Sequence, residues 1–280
     1  MARARPREGR SVARLMSEKL HASLREFYSR NEKYFDEAGE TNAELTPERR
    51  ELFGYIPDGA LVLDVGCGRC ENAVFLGARA RYVGFDLSPL GLEKARSLGR
   101  PLFAAALGES QQLPFKDGSI DLCLSTYALE HFVFPERCLR EMWRVCRRGG
   151  RVIVISPAYD SPWMLPPSIG HWSAFKRMKL IVAQTLRQAS RHFFPNRFFF
   201  AQISEPRILK DEYQSDFDAV HLVSAREVAN FFKALGGKIV FERKRTPRAG
   251  GARDLIRNSL LRLGLGEYGR MNLQIVVEKP

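Results

Sequence analysis

The chain has 280 residues, 45% of them apolar, which is enough for a large buried core and argues against global disorder. No apolar run approaches the ~18 residues that cross a bilayer, and no secretory signal is expected near the N-terminus. The formal net charge of +12 is uneven: residues 1–30, 157–214 and 242–270 hold 24 of the 44 Lys/Arg but only 10 of the 32 acids. Such a basic excess either attracts phosphates, nucleic acid or anionic lipid heads, or only aids solubility.

Residues 1–15 hold five arginines with Pro6 and Gly9 and read as a flexible basic arm. A helix is expected from about Ser17 to Tyr34, and another from Thr46-Pro47-Glu48, an N-cap followed by proline and an acid. From Gly59 the pattern alternates. Leu61–Val65 reads as a strand, Glu71–Ala78 as a helix and Arg81–Leu87 as the second strand. Ser88-Pro89 caps a helix ending near Gly99, and Leu102–Ala105 and Ile120–Ser125 are the third and fourth strands. Pro135–Arg147 is a helix stopped by Gly149-Gly150, before a fifth strand at Arg151–Ser156. After Pro157 some 65 residues pass before a helix at Ser224–Leu235, with strands at Lys238–Arg243 and Asn272–Glu278. Strands alternating with helices imply an α/β fold, a parallel sheet covered on both faces.

The sharpest motif is VLDVGCGRC at 62–70, an apolar strand running into a glycine-rich turn. Gly66 and Gly68 allow close approach of backbone to a ligand, at the strand ends where open α/β sheets bind ligands. Asp64 lies two residues before Gly66, where its carboxylate can organise the turn and face a cationic group. Asp86 ends the second strand, 22 residues later, where an acid can accept both hydroxyls of a ribose. Glu109 follows the third strand. A dinucleotide fingerprint wants glycine at position 71, which is Glu71. The five cysteines, Cys67, Cys70, Cys123, Cys138 and Cys146, read as reduced, buried thiols of a cytoplasmic protein. Cys67 and Cys70 form a C-x-x-C without the second pair of a zinc ribbon, leaving a tight loop or a redox pair. No metal site is expected.

On these motifs the chain resembles class I S-adenosylmethionine (SAM)-dependent methyltransferases, in particular those of ubiquinone and menaquinone biosynthesis. The resemblance rests on VLDVGCGRC, GFDLSPLGLEKAR at 84–96, Glu109 to Phe115 and LSTYALEHFVFPERCLREMWRVCRRGGRVIVISP at 124–157. It implies a Rossmann-like doubly wound sheet of seven strands, order 3-2-1-4-5-7-6, the last antiparallel, with a helical insertion after strand 5. It implies SAM as cofactor, with Asp64, Gly66, Cys67 and Gly68 around its methionine part. Asp86 would hold the ribose and Leu87 would flank the adenine, with Glu109 and the Ser110 backbone near the adenine amino group. Ser125 and Tyr127 would lie along the cofactor near the sulfonium. Cys70 stands where the family usually has a third glycine, and Glu109 where aspartate is commoner.

Methyl transfer needs alignment more than acid–base chemistry, so a base is required only where the acceptor must lose a proton. His131 and His171 are the candidates, each of which can instead be a packing residue, and Tyr127 is a third polar group near the methyl. The division expected is a basic N-terminal arm and helix at 1–40 and a methyltransferase domain at 41–280, with 157–220 as an inserted lid or substrate region. Between 157 and 218 stand eleven aromatic residues. Within it Ser173–Phe193 is an amphipathic helix, with Phe175, Met178, Ile181, Val182, Leu186 and Ala189 on one face and Lys176, Lys179, Arg187 and Arg191 on the other. Such a helix either packs as a lid or makes a peripheral contact with an anionic membrane. The expected acceptor is a small or lipid-like, even acidic, molecule methylated on oxygen or carbon. Nucleic acid is a rival acceptor, and a non-catalytic SAM-binding scaffold a rival of another class.

Overall fold

The structure, a computed structural model, describes residues 6–159, 165–193, 200–209, 214–243 and 272–280, with single positions 251, 255 and 259. Its strands are β1 (Leu61–Val65), β2 (Arg81–Asp86), β3 (Ala104–Leu107), β4 (Ile120–Thr126), β5 (Cys146–Pro157), β6 (Lys238–Glu242) and β7 (Asn272–Glu278). Its helices are α1 (Pro6–Arg30), α2 (Glu32–Asn42), α3 (Pro47–Phe53), α4 (Glu71–Leu76), α5 (Pro89–Ser97), α6 (Pro135–Val145), α7 (Ala174–Phe193) and α8 (Ala225–Ala234). The seven strands form one sheet in the order β3-β2-β1-β4-β5-β7-β6. β1 to β5 pair in parallel, and β7 runs antiparallel to β5 and β6, as the resemblance implied.

Side-chain alternation builds a core on each face of the sheet. Cys123 of β4 and Val152 and Val154 of β5 face one side, with Met142 and Trp143 of α6 and Phe231 and Phe232 of α8. Leu122, Leu124, Ile153 and Ile155 face the other, with Leu52 and Phe53 of α3 and Leu92 of α5. Serine and threonine set the helix starts: Thr46, Ser88 and Ser224 each accept a bond from a backbone amide of the first turn. All five cysteines are free and buried.

Four elements depart from expectation. α6 ends at Val145, where Cys146 turns extended, and β5 already begins at Cys146, so Gly149 and Gly150 lie within the strand instead of stopping the helix. The backbone is already helical at Pro6, so residues 6–15 are helix and not the flexible arm expected there, and residues 1–5 lie outside the described residues; proline suits a first helical position. The helix expected from Ser17 to Tyr34 is two helices. Asn31 turns extended and its side chain accepts from the Tyr34 amide, which starts α2 afresh. β3 lies two residues later than expected, because its pairing with β2 runs from Val83↔Ala104 to Asp86↔Leu107. It is an edge strand of small residues and lacks the two-sided apolar signal of the central strands.

Candidate cofactor and active site

The tips of β1, β2 and β4 open into one cleft. It is lined by Gly66, Cys67 and Gly68 from the first turn, Asp86 and Leu87 from β2, Gly108 and Ser110 after β3, and Tyr127, Ala128, His131 and Phe132 after β4. The turn is shaped by two left-handed glycines, Gly66 at φ +78° and Gly68 at φ +53°. A Cβ on Gly66 would stand 2.6 Å from the Ala128 Cβ, whereas nothing lies within 4 Å of one on Gly68. The turn is thus wedged on one side and open on the other. Cys70 adopts the left-handed conformation at φ 57° where the family usually has glycine. The Cys70 thiol lies 3.4 Å from Cys67 Sγ. Both sulfurs fill the space above Gly84, whose missing Cβ would come within 2.6 Å of Cys70 Sγ.

Asp64 is fully buried beneath the turn. Its Oδ2 accepts from the Asn72 amide at 2.8 Å and from the Tyr82 hydroxyl. Its Oδ1 has no hydrogen-bond partner. Burial pushes the carboxyl up to about 6, against the pull of Tyr82 and Asn72. A buried, unpartnered carboxylate oxygen is costly unless something cationic completes it. Asn72 also donates to Thr126 Oγ1 at 2.8 Å, and its own oxygen accepts from Arg49 at 2.6 Å. Arg49 is itself buried, holding the Asn42 and Glu44 carbonyls. Arg49 and Asn72 line the cleft, and the chain runs from them back to Asp64, which lies behind the lining.

Asp86 is held by two backbone amides, Gly68 N–H to Oδ2 and Ser88 N–H to Oδ1, each at 2.8 Å. Burial raises its pKa, against hydrogen bonds from the backbone of Gly68, Ser88 and Leu87. The amides fix the carboxylate at the cleft wall, and each oxygen keeps a further acceptor site. Ser110 lines the cleft, its hydroxyl 3.0 Å from Cys138 Sγ. Glu109 does not line it. Its carboxylate is tied to α1, 2.7 Å from His21 Nε2 and 3.5 Å from Arg25, and the His21 bond holds its pKa low. Ser125 is buried behind the turn and donates to the Val65 carbonyl at 3.0 Å, joining β4 to β1.

A second group of charges lies beside the cleft. His131 Nδ1 is 3.1 Å from Asp218 Oδ2 and its Nε2 3.7 Å from Glu130 Oε1. Tyr28 donates to Asp218 at 2.7 Å and Ser156 to Glu130 at 2.8 Å. Burial opposes charge on the imidazole, but Asp218, Glu130 and Asp216 outweigh it and raise His131 to about 9. Burial pushes Glu130 up to about 7, with His131 pulling the other way. The surrounding carboxylates thus favour the imidazolium form of His131 on the cleft wall. Tyr127 also lines the cleft and sits at φ 52°, a left-handed position rare for a tyrosine.

No described residue of the insertion lines the cleft. His171 lies apart from it, its ring 6.5 Å from that of Trp172. The cleft is roofed instead by Tyr28 of α1 and Tyr34, Phe35 and Gly39 of α2. These helices are anchored by Leu20, Leu24 and Phe35 against Val133, Ile208 and Val220. Ser88 Oγ donates to the Tyr28 carbonyl at 2.6 Å. The roof residues, Arg49 and Asn72 carry no motif. Only Asn72, directly after the glycine turn, stood where proximity in sequence could have suggested it.

Residues 63–154 match the family model described as a methyltransferase domain. This stretch is similar to methyltransferase domains. An S-adenosylmethionine dependent methyltransferase from Mesorhizobium loti shares the fold, with a TM-score of 0.55 at 17% identity over 85% of this chain and 100% of that one. An uncharacterized methyltransferase of Mycobacteroides abscessus is 36% identical over 110 residues, 38% of this chain and 42% of its own. The tRNA (carboxymethyluridine(34)-5-O)-methyltransferase of Xenopus tropicalis is 31% identical over 115 residues, 39% of this chain and 17% of its own. The chain spans less than half the length of either of these curated relatives. The cleft residues are compatible with a SAM-type cofactor: the open Gly68 surface admits close approach, Asp86 presents fixed acceptors, and the unpartnered oxygen of Asp64 leaves negative charge behind the lining.

Proposed function

We propose that the protein is a SAM-dependent methyltransferase acting on oxygen or carbon of a small or lipid-like acceptor, along the lines of the quinone-biosynthesis subgroup it resembles. The observation that supports this is the meeting of the glycine turn and Asp86 with Tyr127 and His131 in one cleft, above the incomplete carboxylate of Asp64. SAM, when bound, supplies an electrophilic methyl on a positive sulfur. Asp64, with Gly66, Cys67 and Gly68, holds the amino acid end. Asp86 holds the ribose hydroxyls, Leu87 flanks the base, and Ser110 lies where the base amino group ends. Glu109 contributes there by fixing α1 over the cleft through His21.

His131 is the residue to which we assign the acceptor. Its charge draws an anionic or polarised oxygen, so an acidic acceptor arrives with its nucleophile already exposed. Tyr127 and Phe132 border the same space, and the aromatic roof of Tyr28, Tyr34 and Phe35 keeps water out. His171 has no part in this assignment. The buried, unpaired thiols suit a reducing compartment such as the cytoplasm.

The test is transfer of labelled methyl from SAM into a cell extract, with products divided into lipid, small-molecule and nucleic-acid fractions. Label in the first two supports the proposal. Label in RNA would move the assignment to the activity named for the Xenopus relative, and SAM binding without transfer would make the domain a cofactor-binding scaffold.

A further inference from the structure

The insertion helix α7 presents its apolar stripe to solvent. Phe175 is 69% exposed, Met178 58%, Val182 50% and Leu186 65%. These residues recur every three or four positions, so they form one line along the helix. The body of the protein is met on the opposite side, by Leu180, which packs against the cluster of Tyr159, Ile169 and Ile203, and by Gln184, which is 2% exposed. This departs from the ordinary arrangement, in which a surface helix buries its apolar face. Four large exposed side chains in one row mark an interaction surface.

The charges of the helix identify what fits it. Between Ala174 and Phe193 stand Lys176, Arg177, Lys179, Arg187 and Arg191, and no acid. Lys179 leans over Phe175, its ammonium 4.5 Å from the ring centroid, so charge and apolar surface are presented together. A second copy of this helix, packed stripe to stripe, would bring two purely basic segments into contact. A nucleic acid would satisfy the charges but leave the row of apolar side chains without a partner. An anionic bilayer satisfies both, with acyl chains for the stripe and headgroups for the lysines. Among the described residues no helix is long and apolar enough to cross a membrane, so the contact is with one face of the bilayer.

We propose that α7 docks the protein onto the surface of anionic lipid bilayers through Phe175, Met178, Val182 and Leu186, with Lys179 at the headgroups. The proposal does not depend on methyl transfer. It is tested with the full chain and sedimented vesicles, either pure phosphatidylcholine or phosphatidylcholine with 30% phosphatidylglycerol. Wild type is expected to partition onto the anionic vesicles at least tenfold more strongly than onto neutral ones. Phe175→Ser with Leu186→Ser is expected to abolish that binding, and Lys179→Glu to weaken it several-fold. Both variants should keep the wild-type melting temperature and SAM affinity, which separates docking from folding and from the cofactor site. Wild type absent from both vesicle types, or the double serine variant binding like wild type, overturns the proposal. So does a dimer in sedimentation velocity that the double variant dissociates, since the stripe would then belong to a second copy.

Discussion

The cleft and the insertion treat polar and apolar groups in opposite ways. At the cleft the polar groups are inside: Asp64, Glu130 and Asp218 are almost wholly buried, and each is held by a hydroxyl, an amide or an imidazole. On α7 the apolar groups are outside, and a glutamine is buried in their place. Burying charge and exposing large apolar side chains both cost stability. On the readings proposed above, each cost is understandable because a ligand completes the surface, a cationic nucleoside in the first case and a bilayer in the second. The cleft is built from strand tips in fixed register, whereas α7 meets the body along a single line.

The largest expected effect that would sharpen this contrast is at His131. His131→Gln keeps a hydrogen-bonding group but removes the charge, and should lower the transfer rate by about 10²-fold or more while SAM affinity stays within about twofold. The His131 pKa is raised to about 9, which favours the imidazolium form. Activity should therefore fall as pH rises through about 9. A rise in activity over the same range would make His131 a base instead.

Asp86→Asn comes next. It replaces a fixed carboxylate with a neutral amide at the ribose position, and charge-assisted bonds carry about 1.5–3 kcal/mol, so SAM binding measured by calorimetry should weaken roughly 10- to 100-fold. Unchanged affinity would break the ribose assignment. Gly66→Ala forces a Cβ to 2.6 Å from Ala128 at a left-handed φ. Overpacking and backbone strain of that kind cost about 1–3 kcal/mol, visible as a lower midpoint in urea together with lost SAM binding. Gly68→Ala has no such contact and should be milder in stability.

Asp64 gives a smaller, graded effect. Its folded pKa is raised to about 6, so below that pH it is neutral and loses its attraction for a cationic ligand. SAM affinity should fall by up to about tenfold per pH unit below 6 and level off above it. In Asp64→Asn the profile should be flat across that window. Smallest of all, the serine substitutions on α7 should move folding stability by no more than about 0.5 kcal/mol, because those side chains touch little in the folded protein. A larger loss would show that the stripe is packed and would erase the contrast between the two regions.

Much of this molecule was legible in its residue order. The alternation of apolar runs with capped helices fixed the fold class, since a strand buried on both faces has little choice but an apolar sequence. The glycine turn with Asp64 and Asp86 marked the cleft, because left-handed backbone and carboxylates at strand ends leave local signals. Only the folded chain could decide the rest, which depends on contacts between distant segments. Glu109 pairs with His21, 88 positions away, and Asp218 reaches both His131 and Tyr28. The sequence pattern showed that α7 has an apolar face but not which way that face turns; this was decided by Leu180 and Gln184, the residues that meet the body. Periodicity along a helix measures only the angle between side chains, while orientation is set by whatever the helix leans on.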